Sequence, residues 1–327
     1  MSDRSDEVFI NRRRLKEMEL RELILFGVLV VLVIIFSFLA PNFFKIGNFM
    51  NLGMYSASLA ITAAGMTYVI ISGGMDISVG AIMSCCGILT SNLLLSLENV
   101  AIAVVGGLML GLIIGAFNGM LVTKLRVNSI IVTIGTMSIL RGAVYLISGG
   151  RMVSYKRMPA FEYFGPQRLG GVVPMALLIM LIVYLLLGFV LSRLKYGRHV
   201  YATGSNPQSA MLSGVRIDII TLSVFMISGF CSALSGIVLT SLLGAGMPKV
   251  GIGREIDIIA ATILGGASVK GGRGKLLGTI IGVLIIGVVG NALTQLGFIT
   301  FWQDIFKGTI LILAVYFDQI REMRISG

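Results

Sequence analysis

Long apolar runs separated by short polar stretches make up most of this chain. The runs at 23–40, 57–72, 77–97, 100–122, 130–148, 173–192, 219–242, 276–296 and 302–317 are mostly about 17–25 residues long, the length a helix needs to cross a bilayer. None shows the period-two alternation of a membrane barrel strand. A shorter apolar run, 256–264, lies between a Gly/Pro loop at 244–254 and a Gly-rich, basic stretch at 265–275. If residues 256–270 also cross, there are ten spans and both termini share one side. The expected fold is an all-α polytopic membrane protein with about ten transmembrane helices. Residues 1–22 form a charged cytoplasmic lead, 23–318 the membrane domain and 319–327 a cytoplasmic tail. Residues 45–56 are mixed in polarity and read as an interfacial segment.

Composition supports this reading. Hydrophobic residues make up 56% of the 327 and charged residues 13%, against about 25% charged in soluble domains. The net charge of +11 concerns orientation and contact with membrane lipid rather than nucleic acid, because no basic run is interleaved with aromatics outside the membrane. With the N-terminus inside, the basic lead, Lys124/Arg126, Arg193–Arg216, Lys270–Lys275 and Arg321/Arg324 all fall on the cytoplasmic face. The loop 149–172, with Arg151, Lys156, Arg157 and Arg168, is the basic exception outside. The first apolar run is too long for a secretory h-region and lacks a small-x-small cleavage site, so it reads as an uncleaved first helix. Cys85, Cys86 and Cys231 lie in apolar runs, without metal or disulfide spacing, and read as small core residues. One His and no paired acids exclude a His-based metal centre and make an intramembrane enzyme a poor reading. No cofactor and no metal is expected.

Four stretches carry candidate chemistry. In Ile71-Ser72-Gly73-Gly74-Met75-Asp76-Ile77-Ser78-Val79-Gly80, Asp76 is the sole acid between Glu22 and Glu98. A carboxylate costs about 2.5–3.5 kcal/mol at mid-membrane, so it belongs in a cavity or pathway. The stretch is either a short cytoplasmic turn or a break within the membrane. In the fourth run, Gly107, Gly111, Gly115 and Gly119 form a small-xxx-small stripe for close helix approach, with Asn118 a polar candidate beside it. The Gly-Gly-x5-Gly spacing of 73–80 recurs at 265–272, and paired interruptions of this kind point to a transport site. Gly265–Gly278 invites a phosphate-loop reading but fails it: Gly274-Lys275 is followed by Leu276 and no G-x4-G-K-[ST] is present. If ATP drives this protein, another subunit hydrolyses it. Finally, Asn206 as N-cap, Pro207 at the first position and Gly214 as stop predict a short helix on the cytoplasmic face. Ala210, Met211 and Leu212 give it a small apolar surface. It is either an ordinary surface helix or a docking element.

Taken together, Ala40-Pro41-Asn42-Phe43-Phe44, Gly65-Met66-Thr67 through Ser78-Val79-Gly80, the Gly197–Val215 loop, and Asp257–Gly278 continuing to Asn291 resemble the ribose-type permease family of ATP-binding-cassette importers. That group also includes branched-chain amino-acid permeases. The resemblance implies a multi-pass subunit of the bacterial inner membrane. Its partners would be two ATP-binding subunits, a periplasmic solute-binding protein and a second permease subunit, identical or not. It implies that Asn206, Pro207, Ala210, Met211, Ser213 and Gly214 face a cleft in the ATPase. Loops 149–172 and 244–254 would receive the binding protein. Asp76, Ser78, Asn118 and Asn291 would lie near the substrate pathway, or, for Asp76 and Ser78, form a hinge. The implied function is uptake of a monosaccharide or similar small polar solute without bond chemistry. A signalling molecule such as autoinducer-2, or an amino acid, is the alternative cargo. An ion-coupled secondary transporter using Asp76 is weaker, because that acid has no evident basic partner.

Overall fold

The computed structural model describes residues 22–156, 158–299, 301–306, 308–310, 312 and 316. Residues 1–21 and 317–327 lie outside that set, and with them nearly all of the expected cytoplasmic lead and tail. The fold is all-α and polytopic. Its helices are α1 (Glu22–Leu39), α2 (Ile46–Ile71), α3 (Val79–Leu97), α4 (Val100–Lys124), α5 (Ser129–Ser148), α6 (Pro159–Glu162), α7 (Met175–Arg193), α8 (Lys195–Ser205), α9 (Pro207–Leu212), α10 (Ile217–Leu243), α11 (Arg254–Leu264) and α12 (Leu276–Gln295). Among the described residues, four two-residue strands form two small antiparallel pairs: β1 (Val153–Ser154) with β4 (Ala245–Gly246), and β2 (Arg168–Leu169) with β3 (Val173–Pro174). Among the described residues, eight helices are long and apolar enough to cross a membrane. The expected tenth span, 302–317, falls partly outside the described set, although 301–306 and 308–310 are helical.

Two sequence expectations need correction. Residues 46–56 are not a separate interfacial segment but the first turns of α2, which runs for 26 residues. Phe43, fully buried between Phe36 and Phe49, anchors the turn before it. Nor do residues 256–270 cross as a helix: α11 has 11 residues, about 16 Å of rise, or half a hydrocarbon core. The outer half of that crossing is the irregular segment 245–253. It descends along α3, from Gly246 packed on Gly87 and Ser91 to Gly251 packed on Gly80 and Ser84. Periodicity missed it because a Gly-rich irregular strand has neither period.

α10 is the centre of the bundle, flanked by α4, α2 and α3. The α4 glycine stripe packs on it as its spacing predicts: Gly107 faces Ile237, Gly111 faces Gly229 and Ala233, Gly115 faces Phe225 and Met226, and Gly119 faces Leu222. These two helices are antiparallel and touch backbone to backbone. Ser235 donates to the Ser58 carbonyl at 2.6 Å and Gly65 abuts Ser228, so α2 also runs antiparallel to α10. α3 runs parallel to it, Met83 meeting Gly236 and Gly87 meeting Thr240. All three cysteines are buried and free. The apolar outer sides of α1, α5 and α7 carry many of the exposed large hydrophobics, as a lipid-facing surface requires.

The α4–α10 contact leaves no room for a side chain. A Cβ on Gly115 would land on the Phe225 carbonyl, whereas one on Gly135 of α5 meets nothing within 4 Å. Gly115→Leu is therefore expected to cost about 3 kcal/mol or more and Gly135→Leu far less, as measured by thermal unfolding of the purified chain in detergent.

Candidate functional site

The segment 72–78 is a break inside the bundle, not a turn outside it. α2 ends in a Schellman motif: Gly73 N–H donates to the Ile70 carbonyl and Gly74 N–H to Val69, both at 2.9 Å, with Gly73 at φ 87°. The left-handed φ is why glycine stands there. The chain then turns back and α3 starts at Val79. Asp76 lies opposite Ser228, about 16 Å into α10 at 1.5 Å per residue.

Asp76 is fully buried, with 0% exposure. One carboxylate oxygen, Oδ1, accepts from Ser78 N–H at 3.0 Å and from Ser78 Oγ at 2.5 Å. The other accepts from Ser228 Oγ at 2.8 Å. Asn118 Nδ2 donates to Ser78 Oγ at 3.0 Å, and Thr136 Oγ1 donates to Asn118 Oδ1 at 2.7 Å. α5 closes the underside: Ser129 Oγ accepts from Met75 N–H and Thr133 Oγ1 from Ile77 N–H, each at 3.1 Å. The break's backbone donors are thus answered by side chains of α5, and its acid by hydroxyls. Of the four expected pathway residues, Asp76, Ser78 and Asn118 form one network. Asn291 sits elsewhere, exchanging amide hydrogen bonds with Asn48 at 2.9 and 3.0 Å and so tying α12 to the start of α2.

α11 ends as α2 does. Gly266 N–H donates to Ile263 and Ala267 N–H to Thr262, with Gly266 at φ 105°. The sequence echo is therefore also a structural one, shifted by a residue: Gly73 corresponds to Gly266, not Gly265. The two breaks touch. Gly272 N–H donates to the Ile71 carbonyl at 2.7 Å, and Gly271 lies against Gly73.

The short helix expected from Asn206, Pro207 and Gly214 is α9. Asn206 Oδ1 caps it by accepting from Ser209 N–H at 3.0 Å, Pro207 is its first residue, and Gly214 at φ 83° ends it. Met211 and Leu212 project outward, 61% and 86% exposed, while Ala210 is buried. It rides on α8, which the basic composition of Lys195–His199 hid. Tyr196, Val200 and Tyr201 form the inner side of α8, and Tyr201 donates to the Gly274 carbonyl at 2.7 Å. At the end of α8, Gly204 lies against the Ile71 carbonyl and the Gly272 N–H. The helix carrying α9 is thus fastened to both broken spans.

Sequence reasoning missed one polar centre. Arg141 on α5 donates to Glu255 Oε1 at the start of α11, 2.6 Å apart. Next to it Arg254 donates to Ser58 Oγ at 3.1 Å. A lone arginine inside an otherwise apolar run was the available cue. The acid at depth with a basic partner is Glu255, not Asp76.

The family model for the branched-chain amino acid transport system permease component matches residues 48–315 of this chain. The chain belongs to that permease family. It is 37% identical over 297 residues to the ribose import permease protein RbsC of Escherichia coli, covering 90% of this chain and 92% of that protein. Against the Bacillus subtilis protein of the same name identity is 36% over 292 residues, 89% and 90% of the two chains. Against the L-arabinose transport system permease protein AraH of Escherichia coli it is 35% over 300 residues, 91% of each. No solved structure matches. A permease component is a transport subunit rather than an enzyme, and it works with separate ATP-binding and solute-binding components. Both breaks, α9 and the Arg141–Glu255 pair fall within the matched span of the permease.

The Asp76 network makes a direct prediction. Asp76→Ala strands the hydroxyls of Ser78 and Ser228 in the core and should cost about 2–4 kcal/mol. Asp218→Ala, at the exposed start of α10, should change stability by less than about 0.5 kcal/mol. Chemical or thermal unfolding of the two variants compares them.

Proposed function

We propose that this chain is the membrane subunit of an ATP-binding-cassette importer that carries a monosaccharide into the bacterial cytoplasm. The observation that carries this is the breadth of the likeness: permeases for ribose, D-allose and L-arabinose each match about nine-tenths of the chain at 35–37% identity. The assembly in this reading holds two permease copies or a pair of related permeases in the inner membrane. Two ATP-binding subunits lie beneath and a periplasmic solute-binding protein above. Residues 23–318 are its membrane domain, between cytoplasmic segments 1–22 and 319–327.

In this reading α9 is the coupling element. Asn206, Pro207, Ala210, Met211, Ser213 and Gly214 form or shape the knob that enters the ATPase cleft, and Leu212 joins Met211 at its tip. What supports this is an apolar tip on a capped, rigid turn at the surface. Loop 149–172 and the outer start of 244–254 receive the binding protein; the β1–β4 pair joins them at the far end of α10, where Tyr155 also donates to the Thr240 carbonyl at 3.2 Å, while the rest of 244–254 runs down into the bundle. Asp76, Ser78 and Asn118 serve as the fixed point of a hinge rather than as solute contacts, a role supported by their complete burial. Asn291, with Asn48, holds α12 against α2 in the same frame.

Transport is alternating access. ATP binding favours one arrangement of the ATPases, and it shifts the permease only by its differential affinity for the two arrangements. Because α8 is fastened to the ends of α2 and α11, movement of α9 reaches both breaks.

Two measurements test this. Vesicles containing the chain, its co-encoded ATPase and binding protein should accumulate D-ribose, D-allose or L-arabinose only with ATP; uptake by the chain alone would overturn the reading. Deleting 206–214, or Leu212→Glu, should cut coupled uptake at least tenfold while the subunit still inserts. Full uptake by either variant would remove α9 from the coupling role.

A further inference from the structure

Arg141 lies about 18 Å along α5 from Ser129 at 1.5 Å per residue, well inside an apolar span. Its side chain is 30% exposed and that of Glu255 11%. Beside Arg141 the exposed side of α5 carries a run of small residues, Gly135, Ser138 and Gly142 at helical spacing, set among the exposed Ile131, Ile139 and Leu146. On the α11 side stand exposed Gly253 and half-buried Arg254 and Asp257. Two acids and two bases therefore share a patch at half-height. Each charged group costs about 2.5–3.5 kcal/mol at a lipid-facing mid-membrane position. Arginine near a membrane surface would extend toward the headgroups; here it turns inward to its acid.

The acid is incompletely answered. Glu255 Oε1 holds Arg141, but Oε2 lies against Gly80 with no hydrogen-bond partner. Gly80 and Gly251 lack the side chains that would fill this corner, which the start of α3 and the segment 245–253 border. A buried carboxylate oxygen left unpaired costs about 1–3 kcal/mol. That oxygen faces inward, and the partly exposed side of the pair is the Arg141 guanidinium, which has further donors to offer.

We propose that this face of α5 and α11 lines the water-filled route through the permease, and that the Arg141–Glu255 pair is the station that meets the hydroxyl groups of the passing solute. Donors and an acceptor side by side suit an uncharged polyhydroxylated molecule, and the near-neutral patch does not select for an ion. The second half rests on the sugar-import reading; the first does not.

The test is thiol accessibility in sealed vesicles carrying the assembled transporter. Ser138→Cys and Gly142→Cys are compared with Leu185→Cys on the outer side of α7, using a charged, membrane-impermeant methanethiosulfonate. The native cysteines are all buried, so the unmodified chain gives the background. The two α5 positions should react at least tenfold faster than position 185. Equal, slow reaction would overturn the proposal. So would rapid disulfide formation between two copies at position 138 without reagent labelling, which would make the face a contact between subunits.

Glu255→Gln keeps the shape of the pair and addresses the station itself. Sugar delivered per ATP hydrolysed should fall at least fivefold, with ATP hydrolysis still stimulated by the loaded binding protein. A merely structural pair would lower both rates together, and that result would overturn the station. No uptake of any tested sugar by the unmodified assembly would count against the import reading, while labelling would still decide whether the face is wet.

Discussion

Every backbone N–H and C=O at membrane depth must find a partner within the protein. This permease places irregular backbone among its packed helices twice, at 72–78 between α2 and α3 and at 245–253 before α11, and so takes on that debt twice. It answers with side chains from neighbouring helices. Ser129 and Thr133 accept from the backbone of Met75 and Ile77, Ser84 accepts from Gly251 N–H at 3.1 Å, and Asp76 accepts from Ser78. These partners reach only because the helices approach closely, and the approach depends on the glycines of α4 and α10. The irregular backbone and the small-residue packing are one design seen at two scales.

The two breaks differ in chemistry. The first has a fully buried acid whose two oxygens are both answered by hydroxyls. The second opens on an acid that binds a partly exposed arginine and leaves one oxygen unanswered. A satisfied network fixes geometry; an unsatisfied one is where a partner can act. The second break packs on the start of α3, Gly251 against Gly80, and α8 meets the end of α2 and the turn between α11 and α12 through Gly204, which lies against Ile71 and Gly272. The polar interior, the irregular segments and the surface helix are thus joined by backbone contact rather than by long side chains.

Much of this was legible in the sequence. Hydropathy located most of the long spans to within a few residues, the start of α2 excepted, because a helix that faces lipid must be apolar along its length. Asn206, Pro207 and Gly214 each have one local job, and those jobs set the bounds of α9. The α4 stripe was visible because its period is that of the helix. What was not legible lay in tertiary context. Residues 45–56 are polar enough to suggest a surface, yet continue α2 because Phe43 and Asn48 are held by neighbours far along the chain. α8 was hidden because Lys195, Arg198 and His199 made its sequence read as a polar loop. Arg141 and Glu255 are separated by 114 residues, and nothing local to either announces the other. The echo between 73 and 265 was one residue out of register, since glycine composition does not reveal which glycine takes the left-handed turn.

Gly204 carries a consequence for interpreting natural variants. By position it belongs to an ordinary polar connection between spans, next to a helix that tolerates solvent on one side. Even one methyl group there would collide with the Ile71 carbonyl. A glycine-to-alanine polymorphism at this position would be scored as conservative by any surface-based rule. It would in fact wedge the end of α2 apart from the turn between α11 and α12, so a variant bearing it belongs with interior lesions.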